Sequence, residues 1–167
     1  MDPEKSYDRY LEFQRYVAWS DYDVQRIKAV GQLVEPALDG LVDDFYAEID
    51  RHPRASRVIT GGKPQVQRLK ETLRVWLCEL FSGNYDRDYL VRRWNIGRRH
   101  LQIGLDQVYT ITAIARLRSG LLHALKDAWQ DEPEELLLTI CALNKLLDLD
   151  IAIIEDAYQS AEVGLRS

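Results

Sequence analysis

Apolar positions recur at steps of three and four along nearly the whole chain, and no stretch alternates apolar with polar in the manner of a strand. Helices are therefore predicted throughout. Leu38, Leu41, Val42, Phe45 and Ile49 mark an amphipathic helix that stops before His52-Pro53. Upstream, Ser20 and Asp21 offer N-caps for a segment through Ile27, Val30 and Leu33. Gly31 and Pro36 punctuate it, and Pro36 suits the start of the next helix. Pro64 opens a helix whose broad face carries Val66, Leu69, Leu73, Trp76, Leu77 and Leu80, and Ser82-Gly83 ends it. Asp86 or Asp88 begins another, and Asp106 caps a long one reaching Trp129. Asp131-Glu132-Pro133 breaks the chain before a last helix from about Glu134. Residues 4–19 carry Tyr7, Tyr10, Leu11, Phe13, Tyr16, Val17 and Trp19, an aromatic docking arm with helical spacing. The fold class is all-α.

The last two helices differ from the rest. Val108, Ile111, Ala115, Leu122, Leu125 and Trp129 follow three-four spacing, interrupted where Arg118 takes the seam position. So do Leu136, Ile140, Leu143, Leu147, Ile151, Ile154 and Tyr158, with one irregular step near Leu147. Leu137, Leu138, Leu146, Leu149 and Ile153 widen the second of these faces well beyond one stripe. Such width predicts burial on two sides, one in the domain and one in a homodimer through helices 106–129 and 134–160. The alternative is that a single core takes all of it.

At 167 residues the chain has the length of one domain with a proper core. A net charge of −5 argues against a nucleic-acid surface. Cys78 and Cys141 lack any CxxC spacing, so neither a zinc site nor a disulfide framework is expected. The polar start Met-Asp-Pro-Glu-Lys-Ser and the absence of a membrane-length apolar run predict a cytoplasmic protein with no membrane contact. No P-loop, nucleophile elbow, His-Glu metal motif or kinase signature occurs, so no catalytic residue is assigned. The final stretch from Ala161 to Ser167 carries no clear helix stop.

One stretch, Trp94 to Leu105, carries candidate chemistry: Trp-Asn-Ile-Gly-Arg-Arg-His-Leu-Gln-Ile-Gly-Leu. Continued as a helix, it puts Gly97 and Gly104 one turn either side of His100, with Ile96 and Ile103 on the same face. Each helical glycine costs about 1 kcal/mol against alanine. Bare positions above and below an imidazole admit a flat, bulky group such as haem. Close helix packing accounts for the glycines equally well, and a lone histidine is more often structural than a ligand.

The run "IGRRHLQIGL" resembles the proximal segment of the globin-coupled sensors and protoglobins, and other motifs follow in that family's order. "LVDDFYAEI" is similar to its early Phe-Tyr pair, here Phe45 and Tyr46. "RLKETLRVWLCELFSG" looks like its distal helix, with Leu69 and Thr72 matching a leucine and threonine that line the gas pocket. Tyr109 follows the histidine run, although Val108 stands where some relatives carry tryptophan. The likeness covers roughly residues 35–160.

The resemblance implies a globin fold of the sensor type, with residues 1–20 as an extra N-terminal helix and 21–160 as the globin core of a single 1–167 domain. It implies haem b held by His100 as proximal iron ligand. Tyr46 and Thr72 would meet the gas, and Phe45, Leu69, Ile96, Gly97, Ile103, Gly104 and Tyr109 would line the pocket. Tyr109 would bond the second imidazole nitrogen, and Arg98 and Arg99 are candidates for the propionates. Dioxygen would be the ligand, with carbon monoxide or nitric oxide as alternatives. The output would be a histidine kinase, cyclase or chemotaxis transducer. Two other readings stay open: a stand-alone protoglobin that carries or processes gas, and a cofactor-free helical interaction module.

Overall fold

The computed structural model describes residues 3–164, and side chains over residues 6–160. Seven helices make up the described chain: α1 (Pro3–Tyr16), α2 (Asp21–Asp50), α3 (Pro53–Ser56), α4 (Gly62–Leu80), α5 (Arg87–Gln102), α6 (Gln107–Ala128) and α7 (Pro133–Gly164). The expectation for the last residues, 165–167, falls outside this range.

Pro36 does not start a helix. It sits inside α2, which runs unbroken through both segments expected from the sequence. Ile27, Val30, Val34, Leu38, Val42 and Phe45 form one buried stripe at three-four spacing across the proline. That stripe holds the two halves in register, while Gln32, whose carbonyl loses its partner, is exposed to water. Ser20 begins α2 with a capping box: its side chain accepts from the backbone of Asp23, and Asp23 returns a bond to the Ser20 backbone.

α1 is a docked helix. Tyr10 is fully buried with Leu90, Trp94, Ile153 and Ala157, a small cluster between α1, α5 and α7, and Arg9 pairs with Asp156. The main core lies between α2, α4, α6 and α7. α7 packs most extensively on α5 and also on α6 and α2.

This packing explains the wide apolar face of α7. Leu146, Leu147, Leu149, Ile153 and Ile154 are all at most 2% exposed, each covered within the same chain. Most of this width is thus taken up inside the chain, as in the single-core alternative, because α7 packs on α5, α6 and α2. Among the described large apolar side chains of these two helices, Leu137 and Leu138 near the start of α7 remain open, with Val108 and Ile111 on α6.

Candidate functional site

His100 lies in the last turn of α5, and the helix ends sooner than its spacing suggested. Ile103 is the C-cap, and Gly104 has left the helix with φ +72. The Gly104 amide donates to the Leu101 carbonyl at 3.0 Å, and the Leu105 amide to the His100 carbonyl at 3.0 Å. This is a Schellman turn, which needs a left-handed residue at that position. Gly97 also has a different task from leaving room above the ring. A Cβ there would collide with the Ile154 carbonyl oxygen and come 2.8 Å from the Ala157 Cβ, so the glycine lets α5 and α7 touch backbone to backbone. Neither glycine is explained by space over the imidazole.

The imidazole itself is half-buried. Burial pushes its pKa down to about 4, so it is neutral at neutral pH. Its Nδ1 lies 3.5 Å from the hydroxyl of Thr110. Thr110 is 3.3 Å from the hydroxyl of Tyr158 on α7, and Tyr158 donates to the Leu105 carbonyl at 3.1 Å. The second-nitrogen partner is thus Thr110 and not Tyr109. One residue along a helix turns the side chain by about 100°, which carries Tyr109 off this face. Nε2 has no partner among the described residues.

On α2, Phe45 is buried and stacks edge-on against Tyr46, ring centroids 5.3 Å apart. Tyr46 is half-buried, and its hydroxyl makes no hydrogen bond among the described residues. Burial pushes this phenol up to about 12, so it holds its proton. Leu69 on α4 is half-buried. Thr72 is exposed, and its hydroxyl donates to the Arg68 carbonyl at 2.9 Å. That proton is committed to its own helix, the ordinary behaviour of helical threonine.

α4, α5 and α7 are pinned together by Arg93 of α5. Its guanidinium donates to Asp150 of α7 at 2.9 Å, to the Trp76 carbonyl of α4 at 3.2 Å, and to Glu79 of α4. Beyond this pin, α4 and α5 share no extended packing among the described residues. His100 stands seven residues past Arg93, and Thr72 and Leu69 stand seven residues before Glu79 and Trp76. Two turns are about 10 Å along each axis. The histidine and the distal pair are therefore displaced equally from the pin, each away from the loop joining the helices. Ile96 packs on the main core beside this region, and Ile103 is half-buried at the helix end. Arg98 and Arg99 are exposed.

Three residues central to this arrangement were not singled out from sequence: Thr110, Tyr158 and Arg93. Tyr158 showed itself only as one more apolar-stripe position. Arg93 sits two turns before His100 on the same face, which is the one signal that pointed to it.

A half-buried histidine at the end of α5, with α5 packed on α7 and the main core formed by α2, α4, α6 and α7, belongs to an all-helical, globin-like architecture. The chain belongs to the Protoglobin family, whose model matches residues 6–163. It superposes on the globin domain of a Geobacter sulfurreducens globin-coupled sensor with a TM-score of 0.83 and 28% identity, covering 89% of this chain and 96% of that one. It is also 32% identical over 146 residues to the heme-based aerotactic transducer HemAT of Halobacterium salinarum, 83% of this chain and 30% of that protein. The chain thus spans about a third of the length of that relative. The globin fold expected from the resemblance is the fold of this protein. Among the described residues, no helix is long and apolar enough to cross a membrane.

Proposed function

We propose that this chain is a haem-based gas-sensor domain that binds one haem b through Nε2 of His100 and takes dioxygen on the opposite side. The observation that carries the reading is the imidazole: neutral, tied at Nδ1, and without a partner at Nε2 among the described residues. No group of three or more His, Cys, Asp or Glu that could hold a metal ion occurs among the described residues. A single histidine suits a metal that arrives with its other ligands already attached, as in haem. Covalent attachment needs a Cys-x-x-Cys-His run, which Cys78 and Cys141 do not supply. When bound, haem supplies an iron centre that takes up diatomic gases.

The chain's own residues then set selectivity. Tyr46 brings a protonated, unpaired hydroxyl to the distal side, with Phe45 and Leu69 as apolar walls and Ile96, Ile103 and Thr110 around the proximal side. Thr72 can accept there but has no free proton to donate. Hydrogen bonds to charged acceptors contribute about 1.5–3 kcal/mol, so Tyr46→Phe is expected to speed dioxygen dissociation roughly ten- to a hundredfold. Carbon monoxide carries little charge on its outer atom, and its dissociation should change far less. Stopped-flow rates for both gases on wild type and Tyr46→Phe measure this. Equal acceleration of both, or of neither, removes Tyr46 from the site.

Signalling requires that gas binding favour one of two conformations, with the difference passed to an output partner such as a histidine kinase, cyclase or chemotaxis transducer. A homodimer through α6 and α7 belongs to the same proposal. Its surface is Val108, Ile111, Leu137 and Leu138, which are 40–62% exposed. Leu137→Asp should weaken the dimer and leave the fold intact, whereas Leu147, fully buried, is unsuitable for that experiment. Sedimentation of the wild type as a monomer at micromolar concentration contradicts the dimer.

A further inference from the structure

We propose that Tyr158 is a positioning residue for His100: acting through Thr110, it holds the imidazole in its Nδ1-protonated form and leaves Nε2 as the only free lone pair. The argument follows the protons one at a time. A backbone carbonyl only accepts, so the single hydroxyl proton of Tyr158 goes to the Leu105 oxygen, 3.1 Å away. Tyr158 therefore meets Thr110, 3.3 Å away, as an acceptor, and the Thr110 proton points at Tyr158. The Thr110 oxygen is then left to face Nδ1 at 3.5 Å as an acceptor, which requires a proton on Nδ1. A neutral ring carries one ring proton, so Nε2 carries none.

The surroundings keep this chain of donors directional. Thr110 and Tyr158 are each 4% exposed, so both hydroxyls are largely shielded from competing solvent. The Leu105 peptide is fixed at both ends: its amide donates to the His100 carbonyl, and its carbonyl takes the Tyr158 proton. The left-handed Gly104 places that peptide. On α7, Ile154, one turn before Tyr158, and Ala157, next to it, lie against Gly97, so a tight α5–α7 contact adjoins the relay. The site and α7 are thereby joined by side chains and not only by packing. The consequence for a bound haem rests on the reading of His100 as its ligand; the tautomer is a property of the chain alone.

The test is ring-15N NMR of histidine-labelled protein at neutral pH, without added haem. Wild-type His100 should carry its proton on Nδ1. Tyr158→Phe removes the acceptor that orients the Thr110 hydroxyl, and Thr110→Val removes the relay. Each should lower the ratio of Nδ1–H to Nε2–H forms by roughly three- to tenfold, the worth of one hydrogen bond, while Thr110→Ser should preserve it. On haem-loaded protein, resonance Raman should show the iron–histidine stretch moving to lower frequency in Tyr158→Phe, because a weaker Nδ1–H bond makes the imidazole a poorer donor. That measurement serves if the haem-free variants lose helix by circular dichroism. A wild-type proton on Nε2, or a ratio and stretch unchanged in both Tyr158→Phe and Thr110→Val, overturns the proposal and leaves haem binding standing. A chain that takes up no haem overturns the haem reading and leaves the NMR result valid.

Discussion

Arg93→Ala is expected to destabilise the chain by about 3–5 kcal/mol, the cost of leaving a buried charge without its partner. Arg93 is 1% exposed and Asp150 is completely buried. Burial weighs against the guanidinium charge, yet Asp150, Tyr89 and Glu79 outweigh it and hold the pKa above its ordinary value. The arginine also lies over the Tyr89 ring, 4.1 Å from its centroid, and over Trp76 at 5.3 Å. With the arginine gone, Asp150 keeps, among the described residues, only the Tyr89 hydroxyl, which donates to it at 2.6 Å, and burial already pushes its carboxyl pKa up. Urea unfolding of wild type and variant measures the loss. Because an apolar pair of similar volume is often tolerated where a broken ion pair is not, the double variant Arg93→Met, Asp150→Leu should recover much of it. A change within about 1 kcal/mol for Arg93→Ala would mean that the charge is hydrated after all. The pin has a structural purpose beyond stability. Among the described residues it is the one side chain that bonds α4 and α7 at once from α5, and so it holds the three helices together.

Much of this was legible in the chain itself, and the failures share a cause. Helix positions and most ends came from periodicity and capping residues, as at Ser20, Asp86 and Pro133. Pro36 misled because local chemistry said "start", while the buried stripe from Ile27 to Phe45, a tertiary fact, held one helix through it. Gly104 misled in the opposite sense. The three-four pattern appeared to continue past Gln102, but a glycine followed by an apolar residue at a helix end is also the mark of a Schellman stop. The width of α7 was read correctly as burial on more than one side. Its occupant was not legible, since a sequence does not say whether the second wall is α5 or another molecule. Tyr109 is implied by the family motif, whereas the bond to His100 falls to Thr110, the next residue, a choice made by the phase of α6 that the motif does not encode. Thr72 matches the family pattern, but its present bond to Arg68 depends on side-chain geometry that no motif encodes.

The central claim is that Nε2 of His100 is the haem-iron ligand, and one measurement addresses it most directly. Purified chain is titrated with haem, and the Soret absorption is followed for wild type, His100→Ala, His52→Ala and His123→Ala. His52 is exposed and bonded to Glu48 at 3.0 Å, and His123 is exposed and bonded to the Ser119 carbonyl at 2.7 Å, whereas His100 is half-buried. The account predicts saturation at one haem per chain for wild type and for both control variants. His100→Ala should lose the histidine-ligated spectrum, and added imidazole should restore it in part by entering the vacated space. A wild-type chain that shows no Soret band after reconstitution, or a His100→Ala spectrum identical to wild type, contradicts the account.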